Sequence, residues 1–209
     1  MAITYPRTLP TATGIRNVDL GAVNSVAYSQ SPFTFAGQAQ ASAGQMWQAT
    51  VTLPPMKRED AAVWVSWLIS LRGQFKTFLM GDPSSPAPQG LASVFPGLPV
   101  VDGAGQTGET LNITGASASK NSWLKAGDYI QLGSGSTATL HRVLEDANTN
   151  ASGQTTLSLW PHIRTAPSSG ATVTVNNAVG RWRLASNETN WSVNEASIYG
   201  ISFTAMEAI

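Results

Sequence analysis

The chain of 209 residues contains no cysteine. Disulfides, thiolate zinc sites and thiol nucleophiles are therefore excluded. Charge is scarce as well: 11% of residues are charged, and twelve basic side chains balance twelve acidic ones. A neutral, charge-poor surface exerts little pull on nucleic acid or on an anionic membrane. It suits a subunit that buries much of its surface against copies of itself, because monomers that rely on charge for solubility usually sit away from zero. No apolar run approaches the roughly 18–20 residues that cross a bilayer, so membrane insertion is not expected. The opening MAITYPRTLP has no basic region followed by an apolar one, so no signal peptide is expected either. Histidine occurs twice, at His141 and His162. Both fall on separate expected strands or strand ends, with no partner nominated for a metal site or a triad.

What is present is apolar: 42% of residues are hydrophobic, enough for a proper core in one large or two small domains. The first 30 residues are rich in Thr, Gly, Asn and Ser, and predict an extended arm with short strands. That arm is either a surface lead-in or a segment crossing to a neighbouring subunit. From Trp47, the residues Trp47, Ala49, Val51 and Leu53 alternate with Gln48, Thr50 and Thr52, a half-buried strand ended by Pro54-Pro55. The SPFTF segment reads as its hairpin partner. KREDAAVWVSWLISLRG predicts an amphipathic helix, with Glu59 and Asp60 in the first turn and Arg72-Gly73 at its close. Ala61, Trp64, Leu68 and Leu71 form its apolar stripe, widened by Val65 and Trp67.

QFKTFLMG then reads as a strand, and DPSSPAPQG, with Pro83, Pro86 and Pro88, as a break. Beyond it, GETLNITGA, GDYIQLGSGSTATLHRVLED, QTTLSLWPHI and GATVTVNN are short strands separated by polar turns. That texture predicts a small all-β barrel or sandwich. GRWRLAS and IYGISFTAMEAI return to the earlier style, with Ile201, Phe203 and Ala205 alternating against Ser202, Thr204 and Met206. The economical organisation is a mainly β fold with one amphipathic helix, divided into residues 1–83 plus 178–209 and an inserted β module at 84–177.

Motifs with chemical content are few. Gly103, Gly105 and Gly108 match the letters of a dinucleotide fingerprint, but a strand follows where a helix is required. Asp146, Asn148 and Asn150 resemble the start of a calcium loop, yet Ala151 and Leu157 stand where Gly and Glu belong. His141 is expected at a solvated strand end and His162 at a strand terminus set by Trp160-Pro161. The expectation is therefore no catalytic, metal or cofactor site. Trp123, Trp160, Trp182 and Trp191 either fill cores or, for Trp123 and Trp160 in the inserted module, stack on sugar rings. Both possibilities stay open, as does a hydrolase whose carboxylate pair the sequence does not mark.

The segments WVSWLISLRGQFKTFLMGDP, WLKAGDYIQLG, LSLWPHIR and GRWRLASNETNWSVNEASIYGISFTAMEAI resemble the tail proteins of siphophages, most closely the distal tail proteins. The resemblance covers about Ser31 to the C-terminus. It implies a hexameric ring that continues the lumen of the tail tube, with a β-sandwich or split-barrel ring domain and the inserted barrel facing outward. It further implies contacts with the tail tube protein and with hub, tip and tape-measure proteins. Genomic DNA would pass through the channel without specific binding, and the location would be the tail tip of the virion. The alternative is a carbohydrate-binding adhesin for attachment to the host surface.

Overall fold

The computed structural model describes residues 3–209. Strands β1 (Asn17–Gln30) and β2 (Gly37–Thr52) form a long antiparallel hairpin, in register from Asn17 opposite Thr52 to Gln30 opposite Gly37. The expected partner strand SPFTF is instead the turn at the hairpin tip, and the Gly/Ala/Gln/Ser stretch is itself the distal half of β2. Every residue from Gly37 to Gly44 is exposed. With neither face buried, that half carries no period-two signal to read.

Helix α1 (Arg58–Ser70) has Glu59 and Asp60 in its first turn, and buries Ala61, Trp64, Trp67 and Leu68. The chain reverses at Arg72 and Gly73, both at positive φ. A side chain at Gly73 would meet Asn187 at 2.7 Å, the residue whose side-chain oxygen accepts the Gln74 N–H at 3.1 Å. Strand β3 (Thr77–Met80) follows. Trp67 packs edge-on against Phe78, with ring centroids 5.1 Å apart, and Phe78 against Phe203 at 6.2 Å. The buried indoles keep their N–H groups satisfied: Trp64 donates to the Thr13 hydroxyl at 3.0 Å and Trp67 to the Thr8 carbonyl at 2.8 Å. The segment before β1 therefore lies on the chain's own helix. Tyr5 also donates to the Ser70 carbonyl at 2.7 Å, and the Arg7 backbone bridges to Thr77 and Leu79 along the edge of β3.

The next six strands are β4 (Gly97–Val101), β5 (Gly108–Ala116), β6 (Tyr129–Leu132), β7 (Thr139–Val143), β8 (Thr155–Ile163) and β9 (Val173–Thr174). They form a second antiparallel sheet in the order β4-β5-β8-β7-β6-β9. A bridge from Val100 to Thr172 brings its two ends together, so the sheet is a nearly closed barrel. Leu111, Ile113, Trp123, Ile130, Val143 and Leu157 fill it. Strand β8 runs through Trp160-Pro161, where the sequence suggested an end. Pro161 falls within a register shift between β5 and β8, a place where its missing N–H breaks no ladder bond.

Strands β10 (Gly180–Leu184), β11 (Trp191–Val193) and β12 (Tyr199–Glu207) then return to the first sheet, whose order is β1-β2-β12-β10-β3 with β11 paired to β12. The outgoing and returning chains run side by side: the Asn177 N–H donates to the Pro86 carbonyl at 2.6 Å. A side chain at Gly81 would sit 2.1 Å from the Ala178 carbonyl, so only glycine allows this approach. The fold is thus mainly β with one α-helix among the described residues: an antiparallel sheet carrying that helix, plus a barrel.

Trp182 joins the first core to β3, being fully buried and donating its indole N–H to the Met80 carbonyl at 2.8 Å. Trp182→Ala is expected to lower stability by about 3–5 kcal/mol. Urea denaturation measures it, and a loss below about 1 kcal/mol would contradict the tight packing assigned to this site.

Candidate functional site

Strand β12 pairs with β2 only from Thr52 to Gln48. Beyond Gln48, β2 has β1 as its sole ladder partner, and the hairpin leaves the body as a two-stranded ribbon. Apart from Ser31, every residue from Asn24 to Gly44 is exposed. From Leu20 to Met56 the chain carries no charged residue at all. Both features are unusual for a solvated ribbon, because isolated hairpins are marginally stable and exposed edges are normally protected by lysine, proline or other breaks.

The ribbon tip is well built. The Ser31 N–H donates to the Ala36 carbonyl at 2.9 Å and the Phe35 N–H to the Ser31 carbonyl at 3.0 Å. The Gln30 side chain donates to the Phe35 carbonyl at 3.0 Å. This turn holds Phe33 and Phe35 outward, 92% and 73% exposed, with Tyr28 and Val26 also bare further down the ribbon. The turn thus holds two phenylalanines in water rather than packing them into either core.

The ribbon's base is clamped. Asn24 lies opposite Gln45, and a register shift follows immediately, between Asn24 and Val26. The last residues of β8 and the residue after it hold both members of that pair. Trp160 donates its indole N–H to the Asn24 side-chain oxygen at 2.8 Å, and the His162 N–H donates to the Gln45 side-chain oxygen at 2.8 Å. Arg164 donates to the Gln45 carbonyl and, through both terminal nitrogens, to the Glu207 carboxylate at 2.7 and 3.1 Å. Glu207 also accepts the Trp47 N–H at 3.1 Å. Trp47 in turn donates its indole N–H to the Leu140 carbonyl at 2.9 Å and meets Trp160 edge-on at 4.5 Å. The ribbon's direction is therefore set jointly by the first sheet and the barrel.

The two tryptophans nominated for sugar stacking belong to different cores. Trp123 is fully buried inside the barrel and donates to the Phe95 carbonyl at 3.0 Å. No face of it is open to a ring, which removes it as a stacking platform. Trp160 is half-buried, with its N–H bonded to Asn24 and its ring perpendicular to that of Trp47 at the ribbon base. Asn24, Gln45, Arg164 and Glu207 were not nominated from sequence. A signal existed for Glu207: it continues the inward series Ile201, Phe203, Ala205 of β12, and a carboxylate at a core position calls for a cationic partner.

His141 corrects another expectation. It lies inside β7 opposite Ile130, buried rather than solvated. Its Nδ1 is 2.8 Å from the Pro161 carbonyl, which only accepts, so Nδ1 carries the proton. Nε2 then accepts from the Thr139 hydroxyl at 2.9 Å. Burial lowers its pKa; the bond to Pro161 and the Glu207 carboxylate raise it by less, and Arg164 adds to the lowering.

Elsewhere the polar residues serve the backbone. Asp146 and Asn148 accept the N–H groups of Ala126 and Ser122 at 2.9 and 2.6 Å. Gly103, Gly105 and Gly108 take positive φ at the link from β4 to β5. No cluster of three or more His, Asp or Glu residues fit to hold a metal ion occurs among the described residues. Neither a protein-family model nor a curated protein matches the chain.

Arg164→Met leaves the Glu207 carboxylate with the Trp47 N–H alone, at an expected cost of about 2–3 kcal/mol, below the value for a fully buried pair because Arg164 is partly exposed. Adding Glu207→Gln is expected to restore part of the loss, and a urea series on the two variants measures both steps. Because folding depresses the His141 pKa, the unfolded chain binds more protons below the ordinary histidine value of about 6.5. Stability is then full above that value and falls as the pH drops through it, by at most about 1.4 kcal/mol per unit. Denaturation midpoints at pH 7.5 and 5.5 check this; His141→Gln should flatten the slope, and an equal slope in both proteins would refute it.

Proposed function

We propose that the chain is a non-enzymatic structural subunit of a siphophage tail tip, similar to the distal tail proteins, and that it works by assembling into a ring. The observation that carries this is the projecting ribbon: charge-free from Leu20 to Met56, bare on its outer edge, and tipped by Phe33 and Phe35. Such an element gains stability only when another surface covers it. A body with zero formal net charge places no long-range repulsion between identical copies.

In this function the sheet-and-helix body makes the ring, and the barrel offers an outer surface to neighbouring tip proteins. The tail tube protein and the hub and tape-measure proteins are the partners, with DNA passing through the centre without specific contacts. The six-fold count follows the resemblance to distal tail proteins; ribbon geometry alone sets no number. The carbohydrate-binding alternative has lost Trp123 to the barrel core, and keeps Trp160 half-exposed with its N–H bonded to Asn24.

Light scattering and negative-stain electron microscopy of the purified chain test the proposal. Closed rings with a central opening are the expected result. A monomer that persists at high concentration would overturn it.

A further inference from the structure

A second uncovered apolar surface lies on the barrel, at the segment that leads into β4. Leu91, Val94, Phe95 and Leu98 are all exposed, Leu98 by 84%. The surface is ordered: Val94 and Phe95 donate their N–H groups to the Leu91 carbonyl at 3.1 and 2.8 Å, which closes a single helical turn. Ala92 and Trp123 anchor it from below, the latter through its bond to the Phe95 carbonyl. Lys120, with its ammonium 4.4 Å from the centre of the Phe95 ring, is the cation at its margin. The result is an apolar shelf on a rigid base.

We propose that the ribbon tip of one copy seats on the Leu91–Leu98 shelf of a second copy of this chain. The inference rests on the ring function proposed above and names the two surfaces that meet. Two observations, together with the symmetry condition of a ring, select a second copy as the occupant. Tip and shelf are both bare in the single chain, so neither covers the other within one molecule. Their chemistry matches: aromatic and aliphatic on both sides, no charge on the ribbon, and at the shelf margin one lysine, whose ammonium lies over the shelf's own Phe95 ring. The tip and the shelf are moreover two different patches on the same chain. That is the condition for a heterologous contact that repeats around a ring.

The clamp at the ribbon base gives this contact its geometry. Asn24 and Gln45 are fixed by Trp160, His162 and Arg164, from the same barrel that carries the shelf. The tip's direction is thus defined relative to the shelf of its own subunit. A fixed angle between the two patches makes successive copies turn by a constant step.

Because the chain has no cysteine, engineered thiols report the contact without background. Thr34→Cys places one at the tip and Ser93→Cys places one on the shelf. Mixing the two single variants under mild oxidation should yield a disulfide-linked dimer that neither forms alone, and the double variant should give a ladder of linked oligomers. Phe33→Ser with Phe35→Ser should weaken self-association about tenfold or more while leaving the circular dichroism spectrum of the body unchanged. Self-association of the wild type without tip-to-shelf linking would overturn this pairing and leave the ring function standing. So would linking of tip to tip, or unaltered association of the double serine variant. A wild type that stays monomeric would overturn the pairing and the ring function together.

Discussion

The carboxylate of Glu207 stands where the ladder between β2 and β12 ends, and much of the molecule is arranged around it. By accepting the Trp47 N–H, it satisfies the first backbone donor of β2 beyond the pairing with β12. By binding Arg164 through two hydrogen bonds, it brings the chain after β8 onto the ribbon base. A buried carboxylate without a cation would be strongly unfavourable, so the two halves of the fold must meet here with Arg164 in place. An apolar pair could match the stability of this ion pair. It would not supply the directional donors that reach both the Gln45 carbonyl and the carboxylate, and direction is what a projecting ribbon needs.

A second carboxylate plays the matching part where the chain enters the barrel. Asp128 is buried and accepts the N–H groups of Gln89, Gly90 and Lys125 at 2.7, 3.2 and 2.7 Å. It thereby ties the proline-rich link to the turn before β6. Gly90 lies so close to Trp123 that any side chain there would collide with its carbonyl, at 2.4 Å. On the return, the Val179 N–H donates to the Gln131 side chain and the Arg181 N–H to the Ala138 carbonyl, at 3.0 and 3.1 Å. The barrel is therefore attached by hydrogen-bonded contacts at its entrance, its exit and the clamp, rather than hanging from a flexible linker. The prolines at 83, 86 and 88 stiffen a path that is already held at both ends.

Elements that pack one face against a core and leave the other to solvent were the most legible in the sequence. The helix stripe of Ala61, Trp64 and Leu68, the Trp47–Val51 alternation and the last strand all carry periodic signals, because each packs one face against a core. The distal ribbon was not legible, since a strand exposed on both faces has no period to detect. His141 was misplaced because a polar residue in a short strand says nothing of which face it occupies until the neighbouring strands are known. The clamp was hidden for a related reason: Asn24, Gln45, Arg164 and Glu207 meet only through tertiary structure, with 119 positions between Gln45 and Arg164 and 160 between Trp47 and Glu207. Only Glu207, at an inward position of an otherwise apolar series, announced that something must come to meet it.

The distribution of charge gives the last constraint. The charges that the chain does have lie outside the Leu20–Met56 segment, so the body is solvated by ionic groups while the ribbon is not. Flat, uncharged strand edges invite indiscriminate pairing with other edges. Here the register shift after Asn24 and the closed turn at Ser31–Ala36 interrupt the ribbon at its base and its tip, which limits the length of straight edge on offer. The ribbon's apolar exposure lies in a few side chains, Phe33 and Phe35 foremost, and in the proposed assembly these would confine association to surfaces that fit the tip. A ribbon of this kind trades solubility for a directed contact, and the trade favours a directed contact only if its base is rigid. If the proposed assembly holds, the Glu207–Arg164 pair at that base matters more to it than its share of folding stability would suggest.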